Sequence, residues 1–327
     1  MKNLLLFIFP LFFSCLNISA QSVTVIHENK QHSFFNTIPS GNYSGIVNIK
    51  DNIYAVVDDK SKNDGFHLFR IDIDSINGDI KNVKYLKFCS SGLKNRDGEG
   101  ITFLPRTKTL LISGESDSKI KEYDLDGSLT NREVQLKTIT DNYGYESLSY
   151  NEKTGIVWTG NESTMSEDGE QATPENRVKN VIRLQSFNEN LKAINTYRYI
   201  MDEPESTQRA WHYAYGVSEI LALDDSSLLI LEREFFIPTS KIGAWVNCKL
   251  YQVNPISSIS AGMTLPKTFI YQWQTKLTLL NHSIANYEGM CLGPKLKDGS
   301  QVLIFISDSQ NHYGGILKDW FKTIIIK

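Results

Sequence analysis

A chain of 327 residues with 41% hydrophobic and 22% charged side chains has the composition of a folded globular protein, and its formal net charge of −3 gives no electrostatic footprint for nucleic acid or another polyanionic polymer. Past Cys15 the cysteines are Cys89, Cys248 and Cys291, an odd number without CxxC spacing, which excludes a disulfide scaffold and the usual zinc patterns. These three are expected as small buried apolar residues.

Residues 1–20 read as a signal peptide. Lys2 supplies a positive start, Leu4 to Phe13 is an apolar run of suitable length, and Ile18-Ser19-Ala20 ends in a small residue before Gln21. A membrane anchor is the competing reading, but ten apolar residues broken by Pro10 fall short of the about 20 that cross a bilayer as a helix. Residues 21–327 are therefore expected as one exported domain, periplasmic or extracellular, with no transmembrane segment. Phe13-Ser14-Cys15 also has the outline of a lipoprotein cleavage site. Lipidation of Cys15 would make the protein an outer-membrane lipoprotein.

Strands are expected at Val23 to His27 and Ser33 to Asn36, and a repeated unit follows. Tyr43-Ser44-Gly45-Ile46 opens the first copy, and Ile53 to Val57 then runs into Asp58-Asp59. Asp97-Gly98-Glu99-Gly100-Ile101 opens the second, whose next strand, Thr109 to Ser113, leads to Glu115. Tyr145-Glu146-Ser147-Leu148 opens the third, with Ile156 to Thr159 reaching Glu162. Val217-Ser218-Glu219-Ile220 opens the fourth, with Leu228 to Leu231 ending in Glu232-Arg233. Tyr287-Glu288-Gly289-Met290 opens the fifth, with Val302 to Ser307 ending in Asp308. From opening slot to terminal acid the separation is 14 residues (44 to 58), 16 (99 to 115), 16 (146 to 162), 14 (218 to 232) and 20 (288 to 308), which describes a hairpin of nearly constant size with a longer turn in its last copy.

Third strands are expected at His67 to Asp72, Lys119 to Asp124, Val181 to Phe187 and Lys249 to Val253, and no segment carries a capped helical period. A four-stranded meander with a buried inner hairpin is how a propeller blade is built. The fold class is all-β: a β-propeller of five or six four-stranded blades, closed by the N-terminal strand. Room for a sixth blade lies in the long stretches after Glu162 and Glu232. Ser163 to Arg177, polar and containing Pro174, reads as a surface excursion.

Equivalent slots of repeated blades share one height around the axis. Glu99, Glu146 and Glu288 then form a ring with Ser44 and Ser218, and Asp58, Glu115, Glu162, Glu232 and Asp308 form a second. Paired strands are antiparallel, so both rings gather at one mouth of the channel. A single acid after a strand is ordinarily a turn residue; recurrence at five slots points to a shared site. Eight carboxylates there would raise one another's pKa values or draw in a cation. Oxygen donors without clustered histidine or thiolate suit Ca²⁺, with Mg²⁺ as the alternative. Glu99, Glu146, Glu232 and Glu288 are candidate catalytic groups as well as ligands. Arg233, Lys60, Arg209 and His212 are candidates for holding an anionic substrate, with an internal ion pair the other role open to Arg233. No GxSxG elbow, P-loop or HExxH occurs, which disfavours serine hydrolases of the α/β type and P-loop nucleotide enzymes.

This ordered set of motifs resembles the phytase-like family described as having esterase-like activity of phytase, a group of exported bacterial proteins. The most specific pieces are Leu229-Ile230-Leu231-Glu232-Arg233 and Asn286-Tyr287-Glu288-Gly289, and Ser147 departs from the glycine the family tends to place there. The resemblance implies a propeller and calcium-assisted hydrolysis of a small-molecule phosphoester or ester. The rival function is a non-catalytic propeller that binds a sugar, peptide or envelope partner, with calcium serving structure only. A monomer is expected.

Overall fold

The computed structural model describes residues 22–137, 144–255, 260 and 262–327. The leader and Cys15 lie outside the described residues.

Five antiparallel sheets stand around one axis. The first strand of each blade is innermost: Tyr43–Lys50, Gly98–Leu104, Tyr145–Asn151, His212–Ala222 and Asn286–Lys295. Each packs against the first strands of its two neighbours, so the five close a ring. The second strands, Ile53–Asp58, Thr109–Gly114, Ile156–Asn161, Leu228–Ile237 and Gln301–Asp308, lie outside them and are followed by the third and fourth. The blade number is five. The stretches that left room for a sixth form a loop up to Asn180 and the long strands of blade four.

A strand between two blades must be apolar on both faces, which is why the second strands read as continuous runs rather than alternations. In blade four, Leu229 and Leu231 pack toward blade five with Leu303 and Phe305, while Leu228 and Ile230 pack toward blade three with Ile182 and Leu184. In blade five, Val302, Ile304 and Ile306 turn the other way, onto Val56, Phe69 and Ile71 of blade one. Each such side chain contributes about 1.5–3 kcal/mol when fully buried. Cys89, Cys248 and Cys291 are free and buried in these layers.

Blade five takes its outer strand from the other end of the chain. Val25–Glu28 pairs antiparallel with Trp320–Ile326, and Thr24 and Lys327 exchange backbone hydrogen bonds of 3.0 and 2.9 Å. The second expected N-terminal strand shrinks to His32–Ser33, because the chain turns at Phe34, whose carbonyl accepts from the N–H groups of Thr37 and Ile38. No helix among the described residues is long and apolar enough to cross a membrane.

Blade four differs from the rest at one end. Its inner strand begins at His212, five residues before Val217, whereas the matching strand of blade two begins at Gly98, directly before its slot. Its partner runs on to Ile237, paired residue for residue with His212 to Gly216. This hairpin rises above the channel mouth as a wall. The excursion from Ser163 is pinned to the same region by Asn180, whose side chain donates to Ser163 Oγ and the Tyr215 carbonyl and accepts from Thr164 and Ala172.

Candidate active site at an acidic channel mouth

All five inner strands break register at the opening slot: between Tyr43 and Ile46, Gly98 and Ile101, Tyr145 and Ser147, Val217 and Glu219, and Tyr287 and Gly289. A β-bulge re-aims the extra side chain. Here the extra residues are Ser44, Glu99, Glu146, Ser218 and Glu288. The second ring is set by backbone pairing two residues upstream. The N–H groups of Asp59, Glu115 and Glu162 donate to the carbonyls of Asn42, Asp97 and Gly144 at 3.1, 2.8 and 2.9 Å, while Arg233 pairs with Gly216 and Asp308 with Asn286. Together the rings enclose a cavity of about 840 Å³ whose lining includes Asp59, Glu99, Glu115, Glu146, Glu162, Glu288 and Asp308, with Lys60 and Arg233 among them.

Six of the eight predicted acids thus meet: Glu99, Glu115, Glu146, Glu162, Glu288 and Asp308. Asp58 and Glu232 lie outside the cavity, and their neighbours Asp59 and Arg233 take the two positions. Successive side chains on a strand point to opposite faces, so an offset of one residue exchanges cavity for interior. Asp58 accepts from the N–H groups of Asn42 and Lys60 at 3.3 and 3.1 Å, and lies 3.6 Å from His67. Glu232 is buried between blades three and four, accepting from Tyr199 at 2.5 Å, Tyr215 at 3.2 Å and Lys267 at 2.7 Å. A signal for both was present in the spacing: the true separations are 15 (44 to 59) and 15 (218 to 233), closer to the 16 of blades two and three. Of the remaining candidates, Lys60, Arg233 and His212 line the cavity, and Arg209 is exposed outside it. Asp97, Tyr213 and Gln310 also line it, and neither Asp97 nor Gln310 was a candidate from sequence.

Charge in the cavity is unevenly compensated. Arg233 donates through Nη2 to Glu162 at 2.5 Å and through Nη1 to Glu288 at 2.6 Å and Asn286 at 2.8 Å. Lys60 lies 2.8 Å from Asp59 and 3.4 Å from Asp97. Burial opposes the charge on Lys60, but the bond to Asp59 and the surrounding carboxylates outweigh it and hold the ammonium above its ordinary range. Burial, and then the charges of Glu146, Asp59 and Glu288, push the Glu99 carboxyl well up. Glu146 is pushed well up by burial and by Glu162 and Glu288, with Arg233 pulling the other way. Burial raises Asp59 to about 6 and Asp308 to about 7, each further lifted by neighbouring acids.

The floor below the rings is nearly solid. At the position after the slot, a Cβ on Gly45 would stand 2.3 Å from the Glu99 carbonyl oxygen, and one on Gly100 would stand 2.5 Å from the Leu148 nitrogen. Blade four alone carries a long side chain there, Glu219, fully enclosed and accepting from the backbone N–H of Ile220 at 3.0 Å and from those of Leu148 and Met290. Burial pushes its carboxyl well above the usual range.

The oxygen donors fit a hard divalent cation in kind. Glu99 and Glu146 have no hydrogen-bonded or ion-paired partner among the described residues, and the charges of neighbouring acids raise both, Glu146 acting on Glu99 and Glu162 and Glu288 on Glu146, so a cation would relieve that repulsion. They are not drawn together in advance: no group of three or more His, Cys, Asp or Glu among the described residues forms a ready ligand cluster.

The chain was compared with known proteins. No curated protein matches it. Among solved structures it is similar to streptogramin B lyase, with 13% identity over 92% of this chain and 98% of that one and a TM-score of 0.40. It is also similar to a DUF4221 family member from Bacteroides vulgatus, with 9% identity over 93% and 98% of the two chains and a TM-score of 0.38. A family profile described as esterase-like activity of phytase matches residues 38–310, from the turn before the first blade to just past the last cavity acid. With five blades, acid-bearing slots and this match over most of its length, the chain belongs to the phytase-like family.

Proposed function

We propose that the protein hydrolyses a phosphoester or ester at the acidic mouth with the help of a bound divalent cation, Ca²⁺ by donor chemistry. The observation that carries this reading is the convergence of eight carboxyl groups, from all blades but the fourth, with one arginine and one lysine around a single open cavity. Glu99, Glu115 and Glu146, with Asp59 and Asp308, would hold the cation, which when bound supplies Lewis acidity toward the ester oxygen. Arg233, fixed by Glu162 and Glu288, and Lys60 present positive charge to the substrate's oxyanion. A carboxylate of the slot ring accepts the proton of the attacking water. His212 on the raised wall of blade four faces the same space, its imidazole held below its ordinary pKa by burial and by Arg233. The reading includes export, with residues 1–20 removed and the mature protein a monomer, periplasmic or extracellular, or held at the outer membrane by lipid on Cys15.

One observation favours a second reading, a binding propeller for a sugar, peptide or envelope partner: both cavity cations are already paired with carboxylates. Purified protein assayed on p-nitrophenyl phosphate, phytate and p-nitrophenyl acetate, with calcium or with EDTA, separates the two. Calcium-dependent turnover that falls at least 100-fold in Glu146→Gln and Glu288→Gln, with unchanged melting, is expected. Absence of turnover on all three, with calcium still raising the melting temperature, would leave the binding module.

A further inference from the structure

A second cavity, about 230 Å³, opens beside the acidic one on the side of the raised hairpin of blade four. Its inner surface is apolar: Phe235, Ala244, Ile284 and Leu317 are buried, and Ile237 and Leu277 are half-buried. Its rim carries Trp211, Tyr313 and Ile316, which are exposed, and Lys241, whose ammonium lies 4.4 Å from the centre of the Trp211 ring. His212 and Gln310 line both cavities, so the acidic and apolar spaces share a wall. His212 packs edge-on against Phe235, with ring centres 5.8 Å apart.

The backbone at that wall is held in an unusual state. Gln310, Asn311 and His312 are consecutive non-glycine residues with φ of 47°, 52° and 58°. Left-handed conformations cost L-residues about 1–2 kcal/mol each and persist where the surroundings over-determine them. Here the Gln310 N–H donates to Asp308 at 2.6 Å, the His312 N–H donates to Ser309 at 3.1 Å, and the His312 ring bonds to Asp319 at 2.5 Å. The loop fixes Gln310 between a cavity acid and the apolar floor.

We propose that the apolar cavity between blades four and five seats an aromatic ring of the substrate, whose ester head group lies in the acidic cavity. The substrate class is an aryl ester or aryl phosphoester. An apolar cavity of about 150 Å³ takes up benzene, so this one has room for a substituted or fused ring. Trp211, Phe235, Tyr313 and His212 offer ring faces and edges, which favours an aromatic guest over an alkyl chain. The identity of the head group rests on the hydrolytic reading above; occupation of the apolar cavity by a ring does not.

The test has two arms. In the first, 2-naphthol is titrated into the full mature chain by calorimetry, together with Trp211→Ala and Ile316→Asp, both at exposed rim positions. Binding to the wild type that weakens tenfold or more in both variants, with unchanged melting temperature, is expected. Equal affinity in all three proteins, or no binding to the wild type, overturns the proposal. Self-association of the wild type that Ile316→Asp abolishes, without 2-naphthol binding, would mean that a second copy of the chain covers this surface, and overturns it as well. In the second arm, kcat/KM is compared for 2-naphthyl phosphate and glycerol 2-phosphate. The ratio is expected to fall tenfold or more in Ile316→Asp while the rate on glycerol 2-phosphate holds, and an unchanged ratio overturns the proposal. If neither ester is turned over, the hydrolytic reading fails and the first arm alone decides the aromatic site.

Discussion

Nη2 of Arg233 lies 2.5 Å from Oε1 of Glu162, across the gap between blades four and three and 71 positions apart in the chain. With Glu288 on the other side, the guanidinium ties three blades together at the one point where the second ring departs from acid. Removing one member of a buried ion group strands the others, at about 3–5 kcal/mol. Arg233→Met is therefore expected to lose about 3–5 kcal/mol in urea unfolding at pH 8. Burial already raises Glu162 and Glu288, so the loss should shrink at pH 5, where both accept protons more readily. A variant equally unstable at both values would show that packing, not charge, is what Arg233 supplies.

Asp58 and Asp59 are neighbours with different duties, and substitution should separate them. Asp59→Asn is expected to weaken calcium binding at least tenfold in calorimetry with little change in melting. Asp58→Ala removes the acceptor of two backbone N–H groups and should lower stability by about 1–3 kcal/mol while leaving calcium affinity intact. The reverse pattern would restore Asp58 to the cavity.

The cavity acids set a direction for stability against pH. A carboxyl that titrates higher in the folded than in the unfolded state contributes fully below its unfolded pKa, about 4, and loses that contribution as pH rises through its folded value. Asp59 at about 6 and Asp308 at about 7 place their loss between about pH 4 and about 7, and Glu99, Glu146 and Glu288, also raised, act in the same direction. The EDTA-treated protein should have a higher urea midpoint at pH 5 than at pH 8. Calcium at 100 times its dissociation constant should restore about 2.7 kcal/mol at pH 8. A midpoint that rises with pH in EDTA would contradict the electrostatic account.

Close approach of inner strands gives a fourth test. Gly45→Ala places a methyl 2.3 Å from the Glu99 carbonyl oxygen, a backbone atom with little freedom, and should cost about 1–3 kcal/mol. Gly98→Ala, whose nearest neighbour would be an Ile112 methyl at 3.4 Å, should cost clearly less. Thermal melting of the pair reads the difference, and equal melting would refute the packing argument.

The repeat was legible because every blade solves one problem, a hairpin apolar on both faces that ends in a polar turn, with nearly the same residue spacing. Five recurrences of slot and strand end located the rings, and the order of short motifs carried the family. What was hard to read was phase. A two-residue period means that Asp58-Asp59 and Glu232-Arg233 each offer two phases, and the bulge that decides between them leaves no mark of its own in composition. The raised hairpin of blade four and Gln310 were less legible still, since strand length and a left-handed turn of ordinary residues depend on tertiary partners such as Asp319. Glu219 did leave a trace, standing where three other copies have glycine.

Because Val25–Glu28 pairs along its length with Trp320–Ile326, a strand the ribosome makes early finds its sheet partner only in one it makes late. The ring shuts only once both segments are present, and until then the fifth blade presents an unsatisfied edge. Loss of Trp320–Ile326 would therefore leave Val25–Glu28 without its sheet partner, and open the circle at its seam. The same adjacency of Thr24 and Lys327 means that a short linker could join these two residues and new termini be opened between other blades, moving the seam without changing the wall around the carboxyl groups.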